Sequence, residues 1–257
     1  MRSIAIASGK GGVGKTTSAI NIAHAISRHR KRTLLVDGNL STPNIHVYLG
    51  WPILKNSLTQ VLRSESSYKD AIYTHESGLR ILPSLTSAAD IRDLKHEKLS
   101  EVVADLESEA DVILLDSAAG LGREALGAIS ACDEVLIVTN PELGAVLDAQ
   151  KTVQLAHEMG KTLLGVVLNK VRNDRHELKV ADVEKLLDLP VIAVVPFDEA
   201  IRKSLTKKGP VTHTFPDSRA GREFTDLSAL LLGKKYMDLV SRKKSLKDYA
   251  LKKLGFL

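Results

Sequence analysis

Residues 9–16, Gly-Lys-Gly-Gly-Val-Gly-Lys-Thr, combine glycines, lysines and a hydroxyl in an order that suits the binding of a polyphosphate. They match the pattern G-x-x-x-x-G-K-[ST] at each fixed position. Glycine tolerates positive φ and has no Cβ, so backbone N–H groups can close around an anion. The octet lies between a short apolar segment, 4–7, and apolar residues at helical spacing from Thr16 onward. Strand, glycine loop and helix together predict a nucleotide-phosphate site.

The side chains of this loop predict separate roles. We expect Lys15 to reach the β and γ phosphates, the Thr16 hydroxyl to ligate Mg²⁺, and Thr17 to lie near the α phosphate. The positive end of the following helix favours the same anion. The residues expected to bind phosphate through the backbone are Gly9, Gly11, Gly12, Val13 and Gly14.

Carboxylates end two further apolar segments. Residues 112–116 read Val-Ile-Leu-Leu-Asp, and beside a phosphate loop such an aspartate orients Thr16 or water on Mg²⁺. We therefore expect Thr16 and Asp116 to be the metal-binding pair. Asp37 ends the segment 33–37 in the same way.

Lys10, directly after the first glycine of the loop, extends the pattern. With this lysine the chain resembles the deviant Walker A ATPases of the MinD/ParA family, MinD most of all, from residue 2 to about 232. The resemblance implies an ATPase that binds ATP or ADP with Mg²⁺ and forms an ATP-dependent homodimer. It implies that Lys10 crosses the dimer interface to the partner's nucleotide. The catalytic residues that it implies are Lys10, Lys15, Asp37 and Asp116.

Other segments also resemble family motifs. Residues 117–125 resemble the family's switch segment, with Ala118 where proline is common and with Gly120 expected to let backbone approach the γ phosphate. Asn169 resembles the asparagine that reads adenine, although a capping asparagine would give the same pattern. A second adenine wall is implied for the turn at Pro196, Phe197 and Asp198. Asp148 falls where the family forms dimer contacts.

Asn39 departs from the family pattern. Residues 37–39 resemble a D-x-D motif whose second aspartate helps to position the attacking water, and Asn39 replaces that aspartate. Asparagine keeps hydrogen-bonding capacity but cannot accept a proton. Nucleotide binding should survive, and hydrolysis is expected to be slow or dependent on a partner. Ordinary turnover is the alternative.

Apolar segments and helical patterns alternate along most of the chain. This alternation predicts an α/β fold, a doubly wound and mostly parallel sheet with helices on both faces, whose ligand lies at the carboxyl ends of the strands. The predicted strands are 3–8, 33–37, 79–83, 111–116, 134–139, 163–169 and 191–196. The predicted helices are 15–28, 95–109, 123–130, 144–159 and 175–187, with two more after residue 196.

Composition limits the class of protein. The apolar runs are of strand length, so no transmembrane helix is expected, and a strand directly after Met1 leaves no room for a signal peptide. One cysteine, Cys132, excludes an internal disulfide and an intrachain four-cysteine cluster, and we expect it to be a core thiol. We expect a cytoplasmic protein.

Charge divides the chain into a predicted ATPase domain, 1–233, and a basic tail, 234–257. The tail has eight basic and two acidic residues, and the whole chain has a net charge of +5, which leaves the domain at −1. On a helix, the apolar tail residues share one face and lysines flank it, which predicts a membrane-surface segment. These apolar residues are Leu246, Tyr249, Ala250, Leu254 and Leu257. A last helix packed on the body is the alternative.

Together these features predict a MinD-like ATPase that attaches reversibly to the inner face of the cell membrane. It would position division or other polar machinery with an unidentified regulatory protein partner. A ParA-like ATPase that binds DNA non-specifically is the less expected alternative, because the domain has a net charge of −1. A nucleotide-gated scaffold with little hydrolysis is a third, which Asn39 keeps open.

Overall fold

The computed structural model describes residues 1–51, 53–85 and 98–233, which contribute eight strands to one sheet. The predicted tail segment, 234–257, lies outside the described residues, as does the beginning of the predicted helix 95–109. The strands are β1 (Arg2–Ser8), β2 (Thr33–Asp37), β3 (Tyr73–Thr74), β4 (Arg80–Leu82), β5 (Val112–Ala119), β6 (Glu134–Thr139), β7 (Thr162–Val171) and β8 (Val191–Pro196).

The order of the strands across the sheet is β3-β4-β2-β5-β1-β6-β7-β8. Every neighbouring pair is parallel except β3 with β4. The predicted mostly parallel α/β sheet is therefore confirmed. Because β1 lies inside the sheet between β5 and β6, the loop that follows it opens at the middle of the carboxyl edge.

Helices cover both faces of this sheet. Their bounds are α1 (Lys15–Ser27), α2 (Ile45–Tyr48), α3 (Leu58–Leu62), α4 (Tyr68–Ala71), α5 (Lys98–Asp105), α6 (Arg123–Ser130), α7 (Leu143–Glu158), α8 (Val180–Leu187), α9 (Glu199–Thr206), α10 (Val211–Thr214) and α11 (Arg219–Leu231). Among the described residues, none of these helices is both long and apolar enough to cross a membrane.

Two apolar layers explain why the central strands read as continuous hydrophobic runs. Ile4 and Ile6 of β1 belong to the layer under α1 and α11, whereas Ala5 and Ala7 belong to the opposite layer. A strand that is buried on both faces needs apolar residues at every position. Cys132 is buried in the second layer, and burial raises the pKa of its thiol, as expected of a core cysteine.

Several predicted boundaries were wrong. The helix predicted for 175–187 begins only at Val180, because the carboxylate of Glu177 accepts the backbone N–H groups of Arg172 and Asp174 and holds this segment as a loop. β5 and β7 extend beyond the predicted strand ends, and α5 gives way to a 3-10 turn at Leu106–Ser108. The short elements α2, α3, α4 and β3 were not predicted.

Candidate functional site

The glycine loop lies between β1 and α1 at the carboxyl edge of the sheet. Gly12 and Gly14 have φ of 79° and 96°, in the region that favours glycine. Gly9 lies directly against α7, where an added Cβ would overlap the backbone of Asp148. The loop therefore requires glycine at these positions for its turns and for its close approach to a helix.

Lys15, Thr16 and Asp116 meet beneath this loop. Lys15 Nζ lies 2.7 Å from one carboxylate oxygen of Asp116, and the Thr16 hydroxyl donates to the other at 2.6 Å. Lys15 and Asp116 are both buried, so each charge is balanced by the other. A hydroxyl and a carboxylate oxygen are ligands of the kind that Mg²⁺ takes beside a phosphate. The donor set therefore fits the metal predicted for Thr16 and Asp116.

Asp37 is the register partner of Asp116 on the neighbouring strand. Its carboxylate accepts the backbone N–H groups of Asn39 and Ile45, each at 3.3 Å. Complete burial, and then the nearby charge of Asp116, raise the pKa of Asp37 to about 8. Asp37 is thus a carboxyl group that can hold a proton at neutral pH, next to one that is paired with a lysine.

Asn39 faces its own loop. Its amide nitrogen donates to the backbone carbonyl of Thr42 at 2.7 Å, and its amide oxygen accepts from the Thr42 hydroxyl at 3.1 Å. Beside it, Ser41 donates through its backbone N–H and its hydroxyl to the carboxylate of Glu124, at the start of α6. Residues 39–42 are therefore tied to the first turn of α6, where the predicted switch segment ends.

An open cavity of about 700 Å³ joins these parts. The glycine loop and the start of α1 form one side of it, and the loops after β2 and β5 form the other. The lining residues outside the predicted loop, Asn39 and the segment 117–125 are Ser8, Ser41, Thr42, Asn44, Tyr48 and Lys170. A volume of this size suits a nucleotide.

The switch segment and Lys10 lie on the outer side of the loop. Gly120, with φ of 80°, donates its backbone N–H to Ser8 O at 2.9 Å, which places it beside the glycine loop. Lys10 Nζ is 3.8 Å from a carboxylate oxygen of Glu142, and both side chains are more than half exposed. Lys10 is thus accessible from outside the subunit. Asp148, on α7, forms an ion pair with Lys151 at 3.2 Å.

Asn169 lies under the loop at the end of β7. Its side-chain nitrogen donates to Val13 O at 2.8 Å, and its side-chain oxygen is buried without a hydrogen-bond partner among the described residues. A buried acceptor of this kind is costly unless a ligand satisfies it. The side-chain oxygen of Asn169 is available to accept a hydrogen bond from an amino group, as that of a base-reading asparagine must be.

The turn after β8 does not line this cavity. Phe197 is partly exposed and stacks under the guanidinium of Arg172, 3.6 Å from its ring centre. Asp198 caps α9 and accepts the backbone N–H groups of Ala200 and Ala220, and these bonds help to lower the pKa of its carboxyl. Pro196 pairs in register with Val171, which places the turn beside the end of β7.

Sequence reasoning missed two polar contributors to the site. Glu124 lies near the end of the segment 117–125 and had a local signal, because it is an acidic residue in the first turn of α6. Lys170 follows Asn169 directly, yet strand alternation predicts that it points to the other face of the sheet. Its Nζ instead donates to Gly12 O at 2.6 Å.

A glycine loop at the middle of a parallel sheet, with a buried lysine, a hydroxyl and a carboxylate beneath it, defines a P-loop nucleotide-binding protein. The model of the CobQ/CobB/MinD/ParA nucleotide-binding domain matches residues 4–211. The chain therefore belongs to the MinD/ParA family, whose members are ATPases.

An uncharacterized ATP-binding protein of Methanocaldococcus jannaschii is 36% identical over 241 residues, covering 94% of this chain and 91% of its own. The crystal structure of the cell division ATPase MinD of Pyrococcus furiosus has a TM-score of 0.86 at 32% identity, over 90% of this chain and 98% of that one.

The septum site-determining protein MinD of Pyrococcus horikoshii, complexed with Mg-ADP, gives a TM-score of 0.86 at 30% identity, over 94% and 99% of the two chains. The MinC:MinD complex of Aquifex aeolicus gives 0.81 at 28% identity, over 91% and 96%. The chain is thus a family ATPase close to MinD in structure, with a site for nucleotide and Mg²⁺.

Proposed function

We propose that this chain hydrolyses ATP as a MinD-type switch, and that ATP closes a homodimer which then attaches to an anionic membrane surface. The observation that carries the proposal is the convergence of Lys15, Thr16 and Asp116 under the glycine loop, with Lys10 exposed on its outer side. The first three suit one bound nucleotide. The fourth, because it is exposed, would serve a second subunit.

The residues of the subunit divide the chemistry as follows. Mg²⁺, held through Thr16 and Asp116, would neutralise charge on the β and γ phosphates. Lys15 and the backbone N–H groups of residues 9–14 bind the same oxygens and stabilise the negative charge that develops on transfer. Gly120 brings the switch backbone toward the γ phosphate. Asp37 supports this edge as a buried carboxyl group beside Asp116.

The base would lie beyond the loop, at the ends of β7 and β8. Asn169 would offer its unsatisfied oxygen to the amino group of adenine, and Pro196 and Phe197 would form an apolar wall beside the base. Asp198 contributes by fixing the start of α9, since its carboxylate caps that helix.

A second subunit completes the active state. Within the part of the chain that the structure describes, the Lys10 side chain is held by an exposed ion pair with Glu142, and such pairs contribute little, about 0–1 kcal/mol. Its release to a partner's phosphate would therefore be inexpensive. Two tails on one dimer would bind a membrane far better than one, because the second attachment is intramolecular. We propose reversible attachment to the inner face of the cell membrane, regulated by a protein partner of the kind that MinC is for MinD.

Mass measurements and phosphate release in the same samples test the proposal. With ATP and Mg²⁺ the full chain should double in mass, and with ADP it should not. Lys10→Ala should keep nucleotide affinity within about threefold but lose the dimer and at least about tenfold in turnover. Lys185→Ala, an exposed lysine on α8, is the control. A Lys10→Ala protein that dimerises and turns over normally would exclude the proposed role of Lys10.

A further inference from the structure

Two consecutive residues near the end of β7 both donate to backbone carbonyl groups of the glycine loop. Asn169 donates to Val13 O at 2.8 Å, and Lys170 donates to Gly12 O at 2.6 Å. We call Asn169 and Lys170 the loop clamp. Asn169 is buried and Lys170 is exposed, so the clamp holds the loop from beneath and from its rim.

Regular strand geometry would not allow this arrangement. Neighbouring side chains of a strand point to opposite faces, so only one of the two could reach the loop. Lys170 has φ of 60°, which is uncommon for a residue other than glycine, and the register of β7 with β8 shifts between Leu168 and Val171. A bulge of this kind re-aims a side chain, here toward Gly12.

The two carbonyl groups belong to the part of the loop that a phosphate needs. When backbone N–H groups of such a loop converge on an anion, the carbonyl oxygens require partners elsewhere. The clamp supplies those partners for Gly12 and Val13. Gly14 lies so close to Asn169 that an added Cβ would overlap its side-chain amide, so the loop and the clamp are in direct contact.

We propose that Lys170 is a positioning residue that holds the glycine loop in its phosphate-binding form before the nucleotide arrives. The inference rests on the proposed function, because a preformed loop is an advantage only if the loop binds nucleotide. Such a loop binds nucleotide without the free-energy cost of ordering. Lys170 acts through the carbonyl of Gly12, and the strained backbone at residue 170 is retained because it aims the ammonium group there.

The test compares the full chain with Lys170→Met, which keeps the length of the side chain, and Lys170→Arg, which keeps a cationic donor. Lys161→Met is a matched control, because Lys161 Nζ also donates to a backbone carbonyl, Ser130 O at 2.8 Å, but at the opposite edge of the sheet. Amide hydrogen exchange of residues 9–15 is measured without nucleotide, and the affinity for a fluorescent ADP is measured with Mg²⁺.

We expect Lys170→Met to speed exchange of the loop at least about fivefold and to weaken ADP binding about tenfold. Lys170→Arg should keep loop exchange and ADP affinity close to the wild-type values, and Lys161→Met should change neither quantity. Unchanged loop exchange in Lys170→Met would overturn the inference, even if affinity fell, because the lysine would then act on the phosphate directly. If the wild type bound no ADP or ATP, the proposed function would fail, while the exchange experiment would still decide the role of the clamp.

Discussion

Asp37 and Asp116 show how one edge of a sheet gives two aspartates different properties. They are register partners on adjacent parallel strands, so their carboxyl groups are neighbours. Asp116 is paired with Lys15 and Thr16, whereas the described donors to the Asp37 carboxylate are backbone N–H groups, and Asp37 is completely buried. The pKa of Asp37 is raised to about 8 for this reason, by burial first and by Asp116 second.

This raised pKa predicts a pH-dependent stability. Protonated Asp37 makes its whole contribution to the free energy of unfolding below the pKa of the unfolded chain, about 4. This contribution is lost as the pH rises toward the folded-state pKa of about 8. An amide at this position would mimic the protonated carboxyl group at every pH. In the absence of nucleotide, the melting temperature of Asp37→Asn minus that of wild type should therefore increase by about 3 °C or more from pH 5 to pH 9.

Thermal unfolding of both proteins across this range measures the effect. Asp148→Asn is the control, because the Asp148 side chain is partly exposed and its described ion pair is with the exposed Lys151. A difference between Asp37→Asn and wild type that stays constant with pH would show that Asp37 is already ionised at pH 5.

Asn39 leads to a prediction about turnover. Its amide is engaged by Thr42 through both of its polar atoms, and it has no group that can take a proton from water. We expect Asn39→Asp to raise steady-state ATP turnover several-fold at unchanged nucleotide affinity. Asn39→Ala, which removes the amide without adding a carboxylate, should not raise it. Equal rates for wild type and Asn39→Asp would show that this position does not limit hydrolysis.

At the scale of elements, the glycine loop lies so close to α7 that the helix constrains the site. Gly9 touches the backbone of Asp148 and Ala149, and backbone atoms cannot move aside as a flexible side chain would. Gly11, two residues later in the same loop, has open space where a Cβ would lie. Close packing against α7 therefore requires glycine at position 9, whereas packing does not require it at position 11.

Gly9→Ala should lower the melting temperature by about 5 °C or more, because α7 or the loop must shift to admit a methyl group. Gly11→Ala should leave the melting temperature within about 1 °C, since its methyl group meets nothing. Calorimetry of the full chain without nucleotide compares the two. Equal losses would mean that the loop relaxes freely and that α7 does not restrain it.

The elements that sequence predicted well are those whose signal is continuous. β1 and β5 are buried on both faces, so apolar runs such as 112–115 identify them directly. The segment between β2 and β4 gave no such signal, because α2, α3 and α4 are only four or five residues long. Part of that segment is fixed by distant contacts, such as Trp51 against Tyr73 and His75.

Some residues of the site could be predicted from the sequence and others could not, as with the elements of the fold. The octet could be identified from its pattern because spacing along one loop fixes where its residues lie. Lys170 could not, because its role depends on a positive φ and a register shift, which no local pattern of residues predicts. The pairing of Ser41 with Glu124 joins the loop after β2 to the first turn of α6, and the two residues are 83 positions apart in the chain.

At the scale of the whole molecule, the net charges of domain and tail have opposite signs. Residues 1–233 have a net charge of −1 and residues 234–257 one of +6, so the excess of positive charge that would attract an anionic surface lies in the tail. Lysines near such a surface contribute about 1 kcal/mol each, and apolar residues add burial below it. A dimer would present two tails, and its binding would then depend on ATP.

We therefore expect the full chain to co-sediment with phosphatidylglycerol vesicles in ATP and Mg²⁺, and at least about tenfold less in ADP or without nucleotide. Leu254→Asp, on the apolar face predicted for the tail, should abolish this binding because it opposes burial in both copies. Leu205→Asp is the matched control, since Leu205 is an exposed leucine of α9 in the domain. Vesicle binding that is equal in ATP and ADP would separate the tail from the nucleotide cycle. ATP-dependent retention on DNA, with no vesicle binding, would instead favour the ParA-like alternative, because the basic tail would then be serving phosphates of nucleic acid.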